Sequence, residues 1–198
     1  MKLSQVALQL YTLRDFLKTP ADIDATLDRV AAIGYRAVQV SGMGPIPEED
    51  LVVLLKKHGL VCCATHENGD TIRQEPAKIV ERLKKLNCTH TAYPWPAGVD
   101  WSKIEHLDSL AADLDKAGAV LREAGLVLSY HNHGIEFVPI PQGGMTALEY
   151  IYTKTSPQNL HAELDTYWVQ YGGGSPAAWC RKMKGRLPVL HMKDYVFT

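Results

Sequence analysis

Apolar positions along this chain follow two alternating rhythms. Short runs rich in Val, Leu, Ile and Ala read as strands at Val6–Leu10, Ala37–Val40, Val61–His66, Thr89–Tyr93, Val127–His133, Leu160–Trp168 and Leu187–Lys193. Their starts lie 24 to 38 residues apart, the length of a strand plus its crossover helix. Between them, apolar residues recur at helical spacing: Ile23, Leu27, Val30 and Ala31, then Leu51, Leu54 and Leu55, then Ile79, Val80, Leu83 and Leu86. A fourth stripe runs from Leu107 to Leu121, and Leu148, Ile151 and Tyr152 mark a fifth. Helix boundaries carry their own signals. Thr19–Pro20 and Ser175–Pro176 read as an N-cap followed by a first helical residue, and Gly34 and Gly59 read as stops.

Six helices between seven strands predict an α/β fold with a parallel sheet and right-handed crossovers. Such a sheet is either open and doubly wound or closed into a barrel. No G-x-G-x-x-G or G-x-x-x-x-G-K-[ST] run follows any strand, which weighs against a nucleotide-binding open sheet. Polar residues recur instead at strand ends: Tyr11 and Arg14 after the first, His66 and Glu67 at the third, and richer runs after the last three. That is the pattern of a (β/α)8 TIM barrel, whose site is assembled from several strand ends. Seven units set against eight lead us to expect one barrel domain over residues 1–198 that lacks its C-terminal unit.

Composition narrows the function. Hydrophobic residues make up 46% and charged residues 22%, with a net charge of −1. Nothing in this balance attracts nucleic acid or an anionic membrane. Four cysteines lack C-x-x-C spacing, so reduced buried thiols in a cytoplasmic protein are expected. Gln5, Gln9 and Arg14 interrupt the N-terminal apolar run, which argues against a signal peptide.

The chemistry concentrates in HNHGIEF (His131–Phe137), ELDTYW (Glu163–Trp168) and HMKDY (His191–Tyr195). His66, His131, His133 and His191 fall at strand C-terminal ends, whereas His90 and His161 fall at strand starts and read as structural. Period two places His161, Glu163, Asp165 and Tyr167 on one face of the sixth strand, and Leu187, Val189, His191 and Lys193 on one face of the seventh. Asp165 and His191 then meet at the mouth, and Gly134 allows a bend that aims Glu136 inward. Two carboxylates and one imidazole suit Mn²⁺, Mg²⁺, Co²⁺ or Zn²⁺. The competing reading has each carboxylate capping a helix or pairing with Lys193 or Arg186.

Taken together with QLYTLRD (Gln9–Asp15), YHNHGIEF, LDTYW and HMKDY, the whole chain resembles the sugar phosphate isomerase/epimerase family of xylose isomerase-like barrels. The resemblance implies one divalent metal, most often Mn²⁺, held by Glu136, Asp165 and His191 and by a Glu on an eighth strand that has no counterpart here. It implies a carbohydrate-metabolism enzyme, an isomerase or epimerase, that removes the proton beside a carbonyl and returns it through a cis-enediolate. Glu136 would be one of two acid/base groups, and the second would come from a segment beyond Thr198. His66, His133 and Lys193 would meet substrate hydroxyls or an oxyanion, and Tyr11 and Trp168 would wall the sugar. Core packing is the competing role for those two rings. The partner would be a small sugar or keto-sugar, with no nucleic acid and no membrane, and a homo-oligomer stays open. Three alternatives stand beside this: a keto-sugar dehydratase or lyase on the same site, a non-catalytic sugar-binding remnant, and an abasic-site endonuclease, which the near-neutral charge disfavours.

Overall fold

A computed structural model describes residue 2 and residues 5–194 of the chain. Tyr195, the last residue of the HMKDY run, lies outside the described residues. Seven strands form one sheet in which spatial order equals sequence order, β1 (Leu8–Gln9), β2 (Ala37–Val40), β3 (Val61–His66), β4 (His90–Tyr93), β5 (Val127–His131), β6 (Leu160–Asp165) and β7 (Val189–His191). Neighbour-to-neighbour succession with helices between is the order of a (β/α)8 barrel. Among the described residues, no helix is long and apolar enough to cross a membrane.

The chain divides into two compact units, residues 1–67 with 78–91, and residues 68–77 with 92–198. In the first, β1, β2 and β3 pair in parallel. Helix α1 (Pro20–Ile33) opens on a capping box. The Thr19 hydroxyl accepts the Asp22 N–H, the Asp22 carboxylate accepts the Thr19 N–H, and Pro20 fills the position where an N–H has no partner. Ile23, Leu27 and Val30 are buried, and Gly34 ends the helix at φ 117°. Helix α2 (Glu48–Lys57) starts with Glu48, Glu49 and Asp50 at its positive end and buries Leu51 and Leu55. Asp24 on α1 accepts from Lys57 at 2.7 Å and from His58 at 2.6 Å, joining the two helices. Helix α4 (Pro76–Lys85) buries Ile79 and Leu83; its first two residues fall in the second unit.

In the second unit, β5, β6 and β7 pair in parallel. Helix α5 (Ile104–Glu123) buries its whole predicted stripe, from Leu107 to Leu121. Gly118 is required there, because a Cβ would stand 2.0 Å from the Asn159 carbonyl oxygen. Helix α6 (Ala147–Lys154) carries a second capping box, Thr146 with Glu149, and α8 (Pro176–Lys182) is capped by Ser175.

Several boundaries differ from the sequence reading. Two short helices, α3 (Gly69–Gln74) and α7 (Thr166–Tyr171), were not predicted. The sixth strand ends at Asp165, because the Asp165 carboxylate accepts the Trp168 N–H at 3.0 Å and starts α7. Tyr167 is therefore a helical residue and does not continue the Glu163–Asp165 face. The first strand spans only Leu8–Gln9, since the Gln9 side chain accepts the Tyr11 N–H and turns Leu10–Phe16 into a 3-10 helix. The fifth strand stops at His131 and the seventh spans Val189–His191. Cys62 and Cys88 are buried as expected, whereas Cys180 is partly exposed and Cys63 is exposed. It alternates with Cys62 across the strand.

Candidate active site

The C-terminal ends of β5, β6 and β7 bring imidazoles and carboxylates into register. His131 on β5 is directly opposite Glu163 on β6, and Asp165 on β6 is opposite His191 on β7. Paired positions on neighbouring strands project to one side, so this register places the four groups together. Glu163 Oε1 lies 3.4 Å from His131 Nδ1 and 3.2 Å from His191 Nε2. Across the same ring, His191 Nδ1 lies 3.8 Å from Asp165 Oδ2. The two imidazole centroids are 4.7 Å apart. One donor atom from each of His131, Glu163 and His191 can be chosen so that all lie within 4.8 Å of one another, a spacing that could hold a metal ion.

Glu163 and Asp165 are 1% and 2% exposed. Burial pushes the Asp165 carboxyl up, but His191, the Trp168 N–H and the Lys193 ammonium outweigh it. The group is held below the usual carboxylate range. Lys193 Nζ stands 3.7 Å from Asp165 Oδ2 and 5.0 Å from the Trp168 ring centroid. Its neighbour Met192 is 73% exposed.

Glu136 sits in a one-turn 3-10 segment, Ile135–Phe137, and is fully buried. One oxygen accepts from the Tyr130 hydroxyl at 3.0 Å and the other from the His133 N–H at 2.7 Å. Burial first, then the Glu136 charge, raises the Tyr130 phenol well above its ordinary value and keeps it a neutral donor. His133 Nδ1 is 3.8 Å from Glu136 Oε1, beyond hydrogen-bond length. The His133 ring packs edge-on to Trp95 at 4.9 Å and against Trp168 at 5.3 Å. Trp168, Lys193 and His133 are thus gathered on the second unit with Asp165 and His191. Glu136 and Asp165 are not among the donors of the tight cluster.

His66 and Tyr11 belong to the first unit. His66 ends β3, and its Nδ1 shares a hydrogen bond with Ser41 Oγ at 3.2 Å. Both line a cleft of about 280 Å³ with Arg82 and the loop after β2. Tyr11 is half-exposed beneath the Arg14 guanidinium, whose carbon lies 4.7 Å from its ring centroid. Gly42, at φ 65°, makes room for that ring, since a Cβ would stand 2.5 Å from it.

Two members of the cluster had no assigned role in the sequence reading. Glu163 shares a face with Asp165 at period two, and His131 precedes His133 by two. The signal was present, but nothing in spacing alone ranks Glu163 above Asp165.

The family described as xylose isomerase-like TIM barrel matches residues 27–198, and the chain belongs to it. Solved structures agree on the fold. A sugar phosphate isomerase/epimerase from Parabacteroides distasonis superposes with a TM-score of 0.85 at 22% identity, over 98% of this chain and 76% of that one. An L-ribulose 3-epimerase gives 0.68 at 15%, over 93% and 68%. A probable 3-DHS dehydratase involved in petrobactin synthesis from Bacillus anthracis gives 0.69 at 9%, over 94% and 72%. No curated protein matches the chain.

Proposed function

We propose that this protein is a divalent-metal-dependent sugar isomerase or epimerase. The observation that carries the reading is the buried cluster of His131, Glu163 and His191 at adjacent strand ends. Two imidazole nitrogens and a carboxylate are ready donors for a borderline divalent metal such as Co²⁺ or Zn²⁺, and also serve Mn²⁺. When bound, the metal would polarise a substrate carbonyl and acidify the neighbouring C–H.

The chain's own groups supply the rest. His133 is the proposed acid/base group, passing a proton between neighbouring carbons through a cis-enediolate, and the fully buried Glu136 supports it. The His133 ring is presented between Trp95 and Trp168, and Glu136 fixes its backbone through the bond to the His133 N–H. Lys193 offers a donor to a substrate hydroxyl or enediolate oxygen beside the Trp168 ring. That ring can cover the apolar face of a sugar. A keto-sugar dehydratase begins with the same proton abstraction and forms the second reading; the dehydratase among the structural neighbours keeps it in view.

The test follows solvent-deuterium incorporation into a panel of ketoses and 3-keto-sugars with added Mn²⁺ or Co²⁺. Metal-dependent exchange that disappears in His191→Ala supports the reading. Exchange that survives both EDTA and His191→Ala would sink it. Loss of water from the substrate would select the dehydratase.

A further inference from the structure

The two nitrogens of His191 face two different carboxylates: Nε2 is 3.2 Å from Glu163 Oε1, and Nδ1 is 3.8 Å from Asp165 Oδ2. An imidazole gives one nitrogen to a metal. The other then carries the proton and is held by an acceptor outside the coordination sphere. The surroundings of the two carboxylates decide which plays which part.

Asp165 is already committed. Its Oδ1 accepts the Trp168 N–H at 3.0 Å as the N-cap of α7. Its Oδ2 is shared between His191 Nδ1 and the Lys193 ammonium at 3.7 Å. Its backbone N–H donates to Asn132 Oδ1 at 3.0 Å, which fixes the residue from behind. A cation on Oδ2 would stand beside the Lys193 charge, which repels it. Glu163 has different surroundings. A single oxygen, Oε1, is approached by imidazole nitrogens from two strands, His131 Nδ1 at 3.4 Å and His191 Nε2 at 3.2 Å. Imidazoles can surrender a proton and share a metal with a carboxylate, which an ammonium group cannot do.

Resting on the metal-dependent reading above, we infer that His131, Glu163 and His191 are the protein's ligands on the second unit, and that Asp165 is a positioning residue whose charge faces His191 Nδ1 at 3.8 Å, an ion-pair rather than a hydrogen-bond separation. This departs from the expected set of Glu136, Asp165 and His191. It replaces an oxygen-rich set by two nitrogens and one oxygen, and so favours Co²⁺ or Zn²⁺ over Mg²⁺.

The experiment titrates Co²⁺ and Zn²⁺ into the 198-residue chain by calorimetry, for the native sequence and for Glu163→Gln, His131→Asn, Asp165→Asn and Asp165→Ala. Circular dichroism checks that each variant is folded. Glu163→Gln should weaken Co²⁺ binding by more than about 100-fold. Asp165→Ala should cost about 10- to 100-fold, the range for an outer partner of a ligating histidine. Asp165→Asn keeps the cap on the Trp168 N–H but loses the charge that faces Nδ1, and should cost less than Glu163→Gln. Nitrogen hyperfine structure in the Cu²⁺-loaded protein should lose one imidazole in His131→Asn and none in Asp165→Asn. That spectrum decides the matter even if Glu163→Gln fails to fold. Equal loss in Asp165→Asn and Glu163→Gln, with one imidazole in the native protein, would overturn the assignment while leaving metal dependence intact. Absence of any Co²⁺ or Zn²⁺ binding to the native chain would overturn both.

Discussion

Both units place carboxylates at the ends of strands or the starts of helices, and the two sets have opposite partners. In the first unit, Arg82 donates through Nε to both oxygens of Glu67 at 3.0 Å and through a second nitrogen to Glu48. In the second, Glu163 and Asp165 face His131 and His191. A guanidinium keeps its proton at every accessible pH and has no lone pair to offer a metal. The first network is therefore a closed structural clamp. An imidazole can lose a proton and coordinate, so the second network can open toward a ligand. The same residue type, a buried glutamate, thus becomes clamp or candidate ligand according to the base opposite it.

The largest effect expected from this contrast is metal stabilisation. A metal that binds only the folded state at 100 times its Kd adds about 2.7 kcal/mol, which for a chain of this size raises Tm by about 5–10 °C. Scanning calorimetry with Co²⁺ should show the shift in the native protein and lose it in Glu163→Gln. A full shift in Glu163→Gln would break the comparison at its centre. Next in size is the clamp itself. Arg82→Met leaves Glu67 and Glu48 without their guanidinium and should cost about 2 kcal/mol, as hydrogen bonds to charged groups do. Urea melts measure this, and the Co²⁺ shift should persist unchanged. If Arg82→Met abolished it, the two networks would not be separate in function.

A control outside both networks is smaller. Thr146→Ala removes the capping box of α6, in which the Thr146 hydroxyl accepts the Glu149 N–H at 3.2 Å. It should cost about 1 kcal/mol with no change in metal response. The smallest effect is in acid. Burial raises the Asp165 carboxyl, yet His191, the Trp168 N–H and Lys193 outweigh it and hold the group below its ordinary value. A carboxyl depressed in the folded state adds stability above its unfolded pKa, and that contribution fades as pH falls through the folded value. Stability measured below pH 4 should therefore fall less steeply in Asp165→Asn than in the native chain. An unchanged slope would mean that the Asp165 charge is not tied to the fold.

Much of this was legible in the chain. The helical stripes of Ile23–Val30 and Leu107–Leu121 are the buried faces, because burial on a helix follows the 3.6-residue period and needs no knowledge of the neighbour. The capping signals at Thr19 and Ser175 act within one turn and hold as read. The βα alternation showed a parallel sheet, since parallel neighbours require a crossover between them, and the polar residues at several strand ends pointed to the barrel. Strand ends were less legible. The side chains of Gln9 and Asp165 each bond a backbone N–H two or three residues on, and each ends a strand that apolar pattern alone would extend.

The pairing of donors was settled only by tertiary structure. Sequence period put Glu163 and Asp165 on one face with equal claim. The register of β5 and β7 on either side then gave Glu163 two imidazoles, and gave Asp165 a helix cap and a lysine. In the same way, Gly134 allowed Glu136 to turn inward, but the Tyr130 hydroxyl and the His133 N–H determined what its oxygens hold. Local rules set which residues face the interior. Which of them meet depends on the stagger between strands more than twenty residues apart, and that is a property of the assembled sheet.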